Sequence, residues 1–279
     1  KPQTLATLSV FEDEVMCMVS PNDEETLVLG KLKDATNPAD YIFYADKNLI
    51  GLPAFTCGSD WLDGSEQELK SLKTDEPGQS GAMMTSCVRQ YMEADYALYT
   101  NKGSVQATVN YLLGAFNEVS ALFANESITT AVSQVFVWVS PDNYSTSNAL
   151  TALNQLKNYR PNFNGDLAVL AALGGNNTGG IAFVDGLCST TLKYAYADIE
   201  DSYASVPTYS WTVFVLAHEI GHNYGSPHTH ACAWGPGGDE PLDCCGANVG
   251  LPETNCEPCN LPNPAGGGHP ICFPKFASR

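Results

Sequence analysis

Basic residues are scarce in this chain: 13 Lys and Arg stand against 31 Asp and Glu in 279 residues, a net charge of −18. The imbalance runs throughout, with 15 acidic and 6 basic residues in 1–80 and 16 and 7 in 81–279. No basic face is available to bind the phosphates of a nucleic acid. Long apolar runs are also missing; a bilayer span needs roughly 18 or more such residues, and none occurs. No initiator methionine or signal peptide opens the chain, which starts at Lys1, so a fragment or a processed form is expected. Histidine is rare, with five in all, and methionine stops at Met92.

Three of those five histidines fall in one stretch, His218-Glu219-Ile220-Gly221-His222-Asn223-Tyr224-Gly225-Ser226-Pro227-His228, which reads H-E-x-x-H-x-x-G-x-x-H. From the chain's own composition, about 10⁻⁵ such matches are expected by chance, which makes this a specific signal among short motifs. On a helix, His218 and His222 lie one above the other on a single face and can reach one metal ion. Glu219 is poorly placed to bind that same ion and suits a base that takes a proton from a water the metal holds. Gly225 can leave the helix with positive φ, Pro227 stops it resuming, and His228 returns as third ligand. Three protein ligands leave one position open, as a catalytic zinc requires. Any one of these histidines alone reads as an ordinary packed residue. His230 reads as a surface or supporting residue, and His269 has no assigned role.

Ten cysteines bear on the compartment. Cys17 and Cys57 come early; Cys87, Cys188, Cys232, Cys244, Cys245, Cys256, Cys259 and Cys272 accompany the zinc motif. An even set in a loop-rich tail is expected to form disulfides in an oxidising compartment, extracellular or periplasmic. Cys256-Glu257-Pro258-Cys259 allows the competing reading of a second, structural zinc, although no second C-x-x-C accompanies it. Sequons at Asn125, Asn143 and Asn176 agree with secretion.

The chain divides by pattern. Residues 1–56 carry short apolar stretches (Glu14–Val19, Thr26–Leu29, Tyr41–Tyr44) between turn residues, a small β-rich unit. Residues 62–82 are polar, contain Pro77-Gly78, and read as a linker and cleavage region, giving an N-terminal part of 1–80 and a second domain of 81–279. In that second domain Ser104–Phe123 carries a helical apolar stripe that includes Val105, and Ser147–Tyr159 a second one. Val135–Val139, Asp166–Leu173 and Gly180–Leu187 read as strands, Asp166–Leu173 being apolar enough to be central. Tyr209–Tyr224 is the motif helix, with Ser210 as N-cap and Val213, Leu216 and Ile220 inward. After His228 periodicity is lost. The sum is a mixed α/β (α+β) fold with long helices and a cystine-bound C-terminal part.

The extended histidine motif resembles that of the metzincin metallopeptidases, and the run Ala217–Trp234 with Gly225-Ser226-Pro227-His228-Thr229-His230 is similar to the reprolysin-like (adamalysin-related) branch. The similarity extends over roughly residues 85–270. It implies a mixed twisted sheet, one catalytic Zn²⁺ and an endopeptidase acting on protein or peptide substrates; nothing supports a Ca²⁺ site. The family places a methionine in a turn beneath the metal after the third histidine; here Gly266-Gly267-Gly268-His269-Pro270-Ile271-Cys272 resembles the run entering that turn, and the methionine is absent. Cys57-Gly58-Ser59-Asp60 resembles the cysteine switch of metzincin propeptides, in which a thiolate fills the open metal position and keeps the enzyme latent. That makes Cys57 a candidate inhibitory zinc ligand; the alternative is a disulfide with Cys17. Gly180, Ile181, Ala182 and Phe183 stand where the family has its substrate-binding edge strand, and an ordinary strand is the alternative there. A catalytically silent zinc-binding or inhibitory module is the alternative function, and a zinc protease of another clan, with a distant Glu as third ligand, is a further one.

Overall fold

A computed structural model describes residues 4–21, 25–32, 36–37, 39–48, 55–59, 62, 87–175, 179–200, 209–229, 231 and 234. In chain order the elements are β1 (Leu5–Val10), β2 (Val15–Ser20), β3 (Leu27–Lys31), β4 (Tyr41–Ala45), β5 (Thr56–Cys57), β6 (Val88–Ala94), α1 (Tyr96–Lys102), α2 (Val105–Asn125), β7 (Thr130–Val137), α3 (Ala149–Tyr159), β8 (Leu167–Leu173), β9 (Gly179–Ala182), β10 (Tyr194–Ile199) and α4 (Tyr209–Asn223). The chain forms two compact units, Lys1–Gly225 and Ser226–Arg279.

The first unit holds two sheets. Strands β1 to β4 make an antiparallel meander in sequence order, in keeping with the β-rich unit expected from the short apolar stretches of residues 1–56. The second sheet runs β5-β9-β10-β8-β6-β7. Its β7, β6, β8 and β10 are parallel, β9 is antiparallel to β10, and β5 lies parallel to β9 on the far side. β8 is interior to the sheet and buried along its length apart from Leu173, which is why its sequence is a continuous apolar run.

Helices α2 and α4 pack on one face, sharing a core of Met92, Leu112, Val119, Val169, Ala195, Ala197, Leu216 and Ile220. Helix α3 covers the other face through Ala152, Leu153 and Leu156 against Tyr91, Leu170, Tyr194 and Tyr196. Helix starts follow local chemistry: the side chains of Asp95, Ser104 and Asn148 accept the amides of Leu98, Ala107 and Thr151. On the α3 side, the fully buried Glu93 carboxylate accepts bonds from Tyr91, Trp138, Tyr144 and Arg160. Its partners satisfy a charge that would otherwise be costly to bury.

Five readings need correction. The strand expected over Gly180–Leu187 stops at Ala182; a turn follows, with Asp185 at φ 58°. Val105 is 46% exposed and lies outside the buried part of α2, which begins at Thr108. Ser210 lies inside α4 and not at its cap, since the helix begins at Tyr209. Cys17 is a thiol within β2, so the pairing of Cys17 with Cys57 does not occur. Cys87 and Cys188 are exposed thiols, and the disulfide expectation has no support from them. Cys232, Cys244, Cys245, Cys256, Cys259 and Cys272, like the rest of the 62–82 linker beyond Leu62, Asn176, His230 and His269, lie outside the described residues. Among the described residues no helix is long and apolar enough to cross a membrane.

Candidate metal centre

Helix α4 sets the site. Val213, Leu216 and Ile220 fix its inner face in the core, and the motif's first half lies on its last two turns. His218 and His222 are one turn apart with rings perpendicular and their Nε2 atoms 3.0 Å from one another. Two nitrogens about 2.0–2.1 Å from a tetrahedral zinc are roughly 3.3 Å apart, so the facing Nε2 pair fits one ion. The helix ends as the sequence suggests: Gly225 has φ +92° and its amide bonds the His222 carbonyl at 2.8 Å.

The end of α4 is tied to the turn after β9. Asn223 Nδ2 donates to the carbonyls of Phe183 (2.9 Å) and Tyr194 (3.1 Å). The Asp185 amide reaches the His222 carbonyl, and the Leu187 amide reaches that of Asn223. These bonds hold the histidine-bearing turn against the sheet. Asn223 lies inside the motif at a position without a specified residue type, so no motif rule assigns it a role.

Glu219 is fully buried and turns toward β9. A Cβ on Gly180 would come within 2.6 Å of its Cγ and Oε1 and of the Tyr196 carbonyl oxygen, so glycine is what lets β9 and Glu219 lie together. Gly180, Ile181 and Ala182 belong to β9, whereas Phe183 lies just past its end.

The outer edge of β9 is covered by residues 56–59. Thr56 and Cys57 pair with Gly179 and Gly180, and the Gly58 amide bonds the Gly180 carbonyl at 2.8 Å. Ser59 Oγ donates to the Ala182 carbonyl (2.9 Å) and accepts from its amide (3.0 Å). This pairing carries Cys57 to the histidines, its Sγ 3.4 Å from His222 Nε2. The ligand atoms of Cys57, His218 and His222 all lie within 4.8 Å of one another. Two imidazoles and a thiol suit zinc, which takes nitrogen and thiolate sulfur together. Phe55 completes the contact, its ring 4.9 Å from Phe214, 5.7 Å from Trp211 and 4.7 Å from the His218 imidazole between centroids. No sequence signal marks Phe55, because its partners lie more than 150 positions away.

In the second unit, His228 is buried, and its carbonyl accepts the Ala231 amide (3.0 Å) and Trp234 Nε1 (2.7 Å).

No curated protein matches the chain. Among the solved structures that resemble it, two share 13–14% identity with it. One is titled "Structure of a chaperone-substrate complex", with 13% identity, 52% of this chain and 25% of that one covered, and a TM-score of 0.40. The other is "Crystal Structure of metalloproteinase-II from Bacteroides fragilis", with 14% identity, 82% and 71% covered, and a TM-score of 0.45. The chain thus spans a quarter of the first neighbour's length, and likenesses this distant say nothing of its activity. The sequence profile of the reprolysin type of metallo-peptidase family M12 matches residues 84–261, well over half of the chain and including the whole histidine motif. The chain is a member of metallo-peptidase family M12.

Proposed function

We propose that the chain is a zinc-dependent endopeptidase of the metzincin type, held latent by its own residues 55–59. The observation that carries this reading is the convergence of Cys57 with His218 and His222 beside the buried Glu219. His218, His222 and His228, the third histidine of the motif, would hold the zinc, with Cys57 in the position a substrate water needs. When bound, zinc would lower the pKa of a water towards about 7 and polarise the scissile carbonyl. Glu219 takes the proton of that water on its carboxylate and passes it to the leaving amine nitrogen. The edge of β9 aligns an extended peptide through the backbone groups of Gly180 and Ala182, the groups that now bind Gly58 and Ser59. Residues 55–59 therefore compete with substrate twice, for the strand edge and for the metal.

Export to an oxidising compartment belongs to the same reading; the sequons at the exposed Asn125 and Asn143 favour it. A silent zinc-binding module is the second reading, favoured by the lack of any methionine after Met92. Incubation of the zinc-loaded chain, cut within 62–82, with an unfolded protein separates the two. Cleavage that a chelator stops and zinc restores supports the endopeptidase; zinc binding with no cleavage supports the silent module.

A further inference from the structure

Glu118 stands in the middle of α2 with its side chain 1% exposed. Neither carboxyl oxygen has a hydrogen-bond partner among the described residues. Its position is one turn after Gly114 on the helix side where the N-terminal sheet docks. A Cβ on Gly114 would collide with the sulfur of Met16 on β2, and Asn117 Nδ2 donates to Ser9 Oγ of β1 at 3.0 Å. Met16, Met18 and Val28, on the inner face of that sheet, are at most 5% exposed and belong to the same core as Tyr111, Ala115 and Val119 of α2. An unpaired carboxylate in such surroundings is costly, so the acid is carried there in its neutral form.

We propose that Glu118 is a proton-operated latch: neutral, it lets the β1–β4 sheet sit on α2, and ionised, it drives the sheet off.

The neighbouring groups do not offer the charge another partner. β1 and β7 carry no titratable side chain. β2 offers Cys17, whose thiol is pushed up by burial and further by the Glu118 charge, so it stays neutral while Glu118 titrates. On α1, Lys102 lies over the Tyr111 ring, 3.7 Å from its centroid, and Tyr111 itself bonds Thr212 and the Glu200 carbonyl. Glu14, between β1 and β2, is raised by burial and held down by Lys102 and Lys31, so those ammonium groups act on it. Among the described side chains of α4, the titratable His218, Glu219 and His222 lie toward residues 55–57 and β9. Burial alone pushes the Glu118 carboxyl up to about 8. Once the sheet lifts, water restores the ordinary carboxylate range. Docking therefore takes up one proton, and the open fraction rises about tenfold per pH unit between the two values.

The last strand of the sheet ends at Ala45, ten positions before Phe55, so an effect on latency is implied if the reading under Proposed function holds; the test does not depend on it. Peroxide oxidation of methionine, which needs no thiolate or carboxylate, reads exposure directly. In the full chain, oxidation of Met16 and Met18, followed by peptide mass spectrometry, should quicken about tenfold per unit from pH 6 to pH 8. Met92, fully buried in the second sheet, should stay protected throughout. In Glu118→Gln and Glu118→Leu the rates of Met16 and Met18 should lose this rise. A flat wild-type profile, the same rise in both variants, or Met92 oxidising in step with Met16 would each overturn the latch.

Discussion

Cys57 Sγ lies 3.4 Å from His222 Nε2, although 165 positions separate the two residues. The approach is fixed by the backbone: β5 adds itself in parallel to β9, and the register Cys57↔Gly180 leaves the thiol over the last turns of α4. A strand edge and a metal-ligating turn are thereby covered by one short segment. Its five residues contribute a ring contact, backbone bonds, a hydroxyl bridge and a sulfur.

Removal of the ring should loosen this segment without touching the thiol. Phe55→Ala loses contacts with Trp211, Phe214 and His218, and opening of residues 55–59 should become easier by about 1–3 kcal/mol. Hydrogen exchange at the Gly58 amide measures this, and unchanged protection would show that the ring does not anchor the segment.

Glu219→Gln should keep zinc and lose peptide cleavage by about 10²–10⁴-fold, the usual contribution of a positioned base. Metal content and turnover measured on the same zinc-loaded, segment-released sample check it. Full activity in this variant would remove Glu219 from the chemistry.

Gly180→Ala places a methyl group 2.6 Å from the Glu219 carboxylate and from the Tyr196 carbonyl oxygen. Because one of those neighbours is backbone, the strain should cost about 1–3 kcal/mol of stability. Displacement of Glu219 by a fraction of an ångström should lower turnover on the order of 10²-fold with zinc retained. Chemical denaturation and kinetics on one preparation test both parts.

Asp95 gives the unit a pH dependence of its own. Burial pushes its carboxyl up to about 7, Asp142 and Asp198 add to the rise, and the amides of Leu98 and Leu173 oppose it. The folded form therefore holds a proton that the unfolded chain releases above about 4. Stability is full below that value and falls as pH rises to about 7, by up to about 4 kcal/mol. Asp95→Asn should remove this part of the slope in denaturant unfolding between pH 4 and pH 8; an unchanged slope would contradict the assignment.

The sequence made the motif helix legible because three constraints coincide there: helical spacing, an apolar inner face and a glycine exit that does take positive φ. Its reading of β8 as central succeeded for an equally local reason, burial on both faces. By contrast, β6 and β10 were not legible. Val88–Ala94 contains Arg89, Gln90 and Glu93, and the buried Glu93 is tolerated only through partners on β6 and in the segments just before and after α3. Tyr194–Ile199 alternates tyrosine with alanine and ends near an aspartate, a weak strand signal. Yet Tyr194 and Tyr196 fill one side of the sheet and Ala195 and Ala197 the other. Cys57 was visible through its short motif, whereas Phe55 and Asn223 act through long-range contacts that no local pattern records.

X-ray absorption at the zinc edge of the zinc-loaded full chain tests the central claim most directly. One sulfur at about 2.3 Å beside nitrogens at about 2.0–2.1 Å is the predicted shell. In Cys57→Ala the sulfur should vanish and chelator-sensitive peptide cleavage should rise at least about tenfold, the equivalent of 1.4 kcal/mol of released inhibition. Zinc bound through nitrogen and oxygen alone in the unaltered chain would contradict the account.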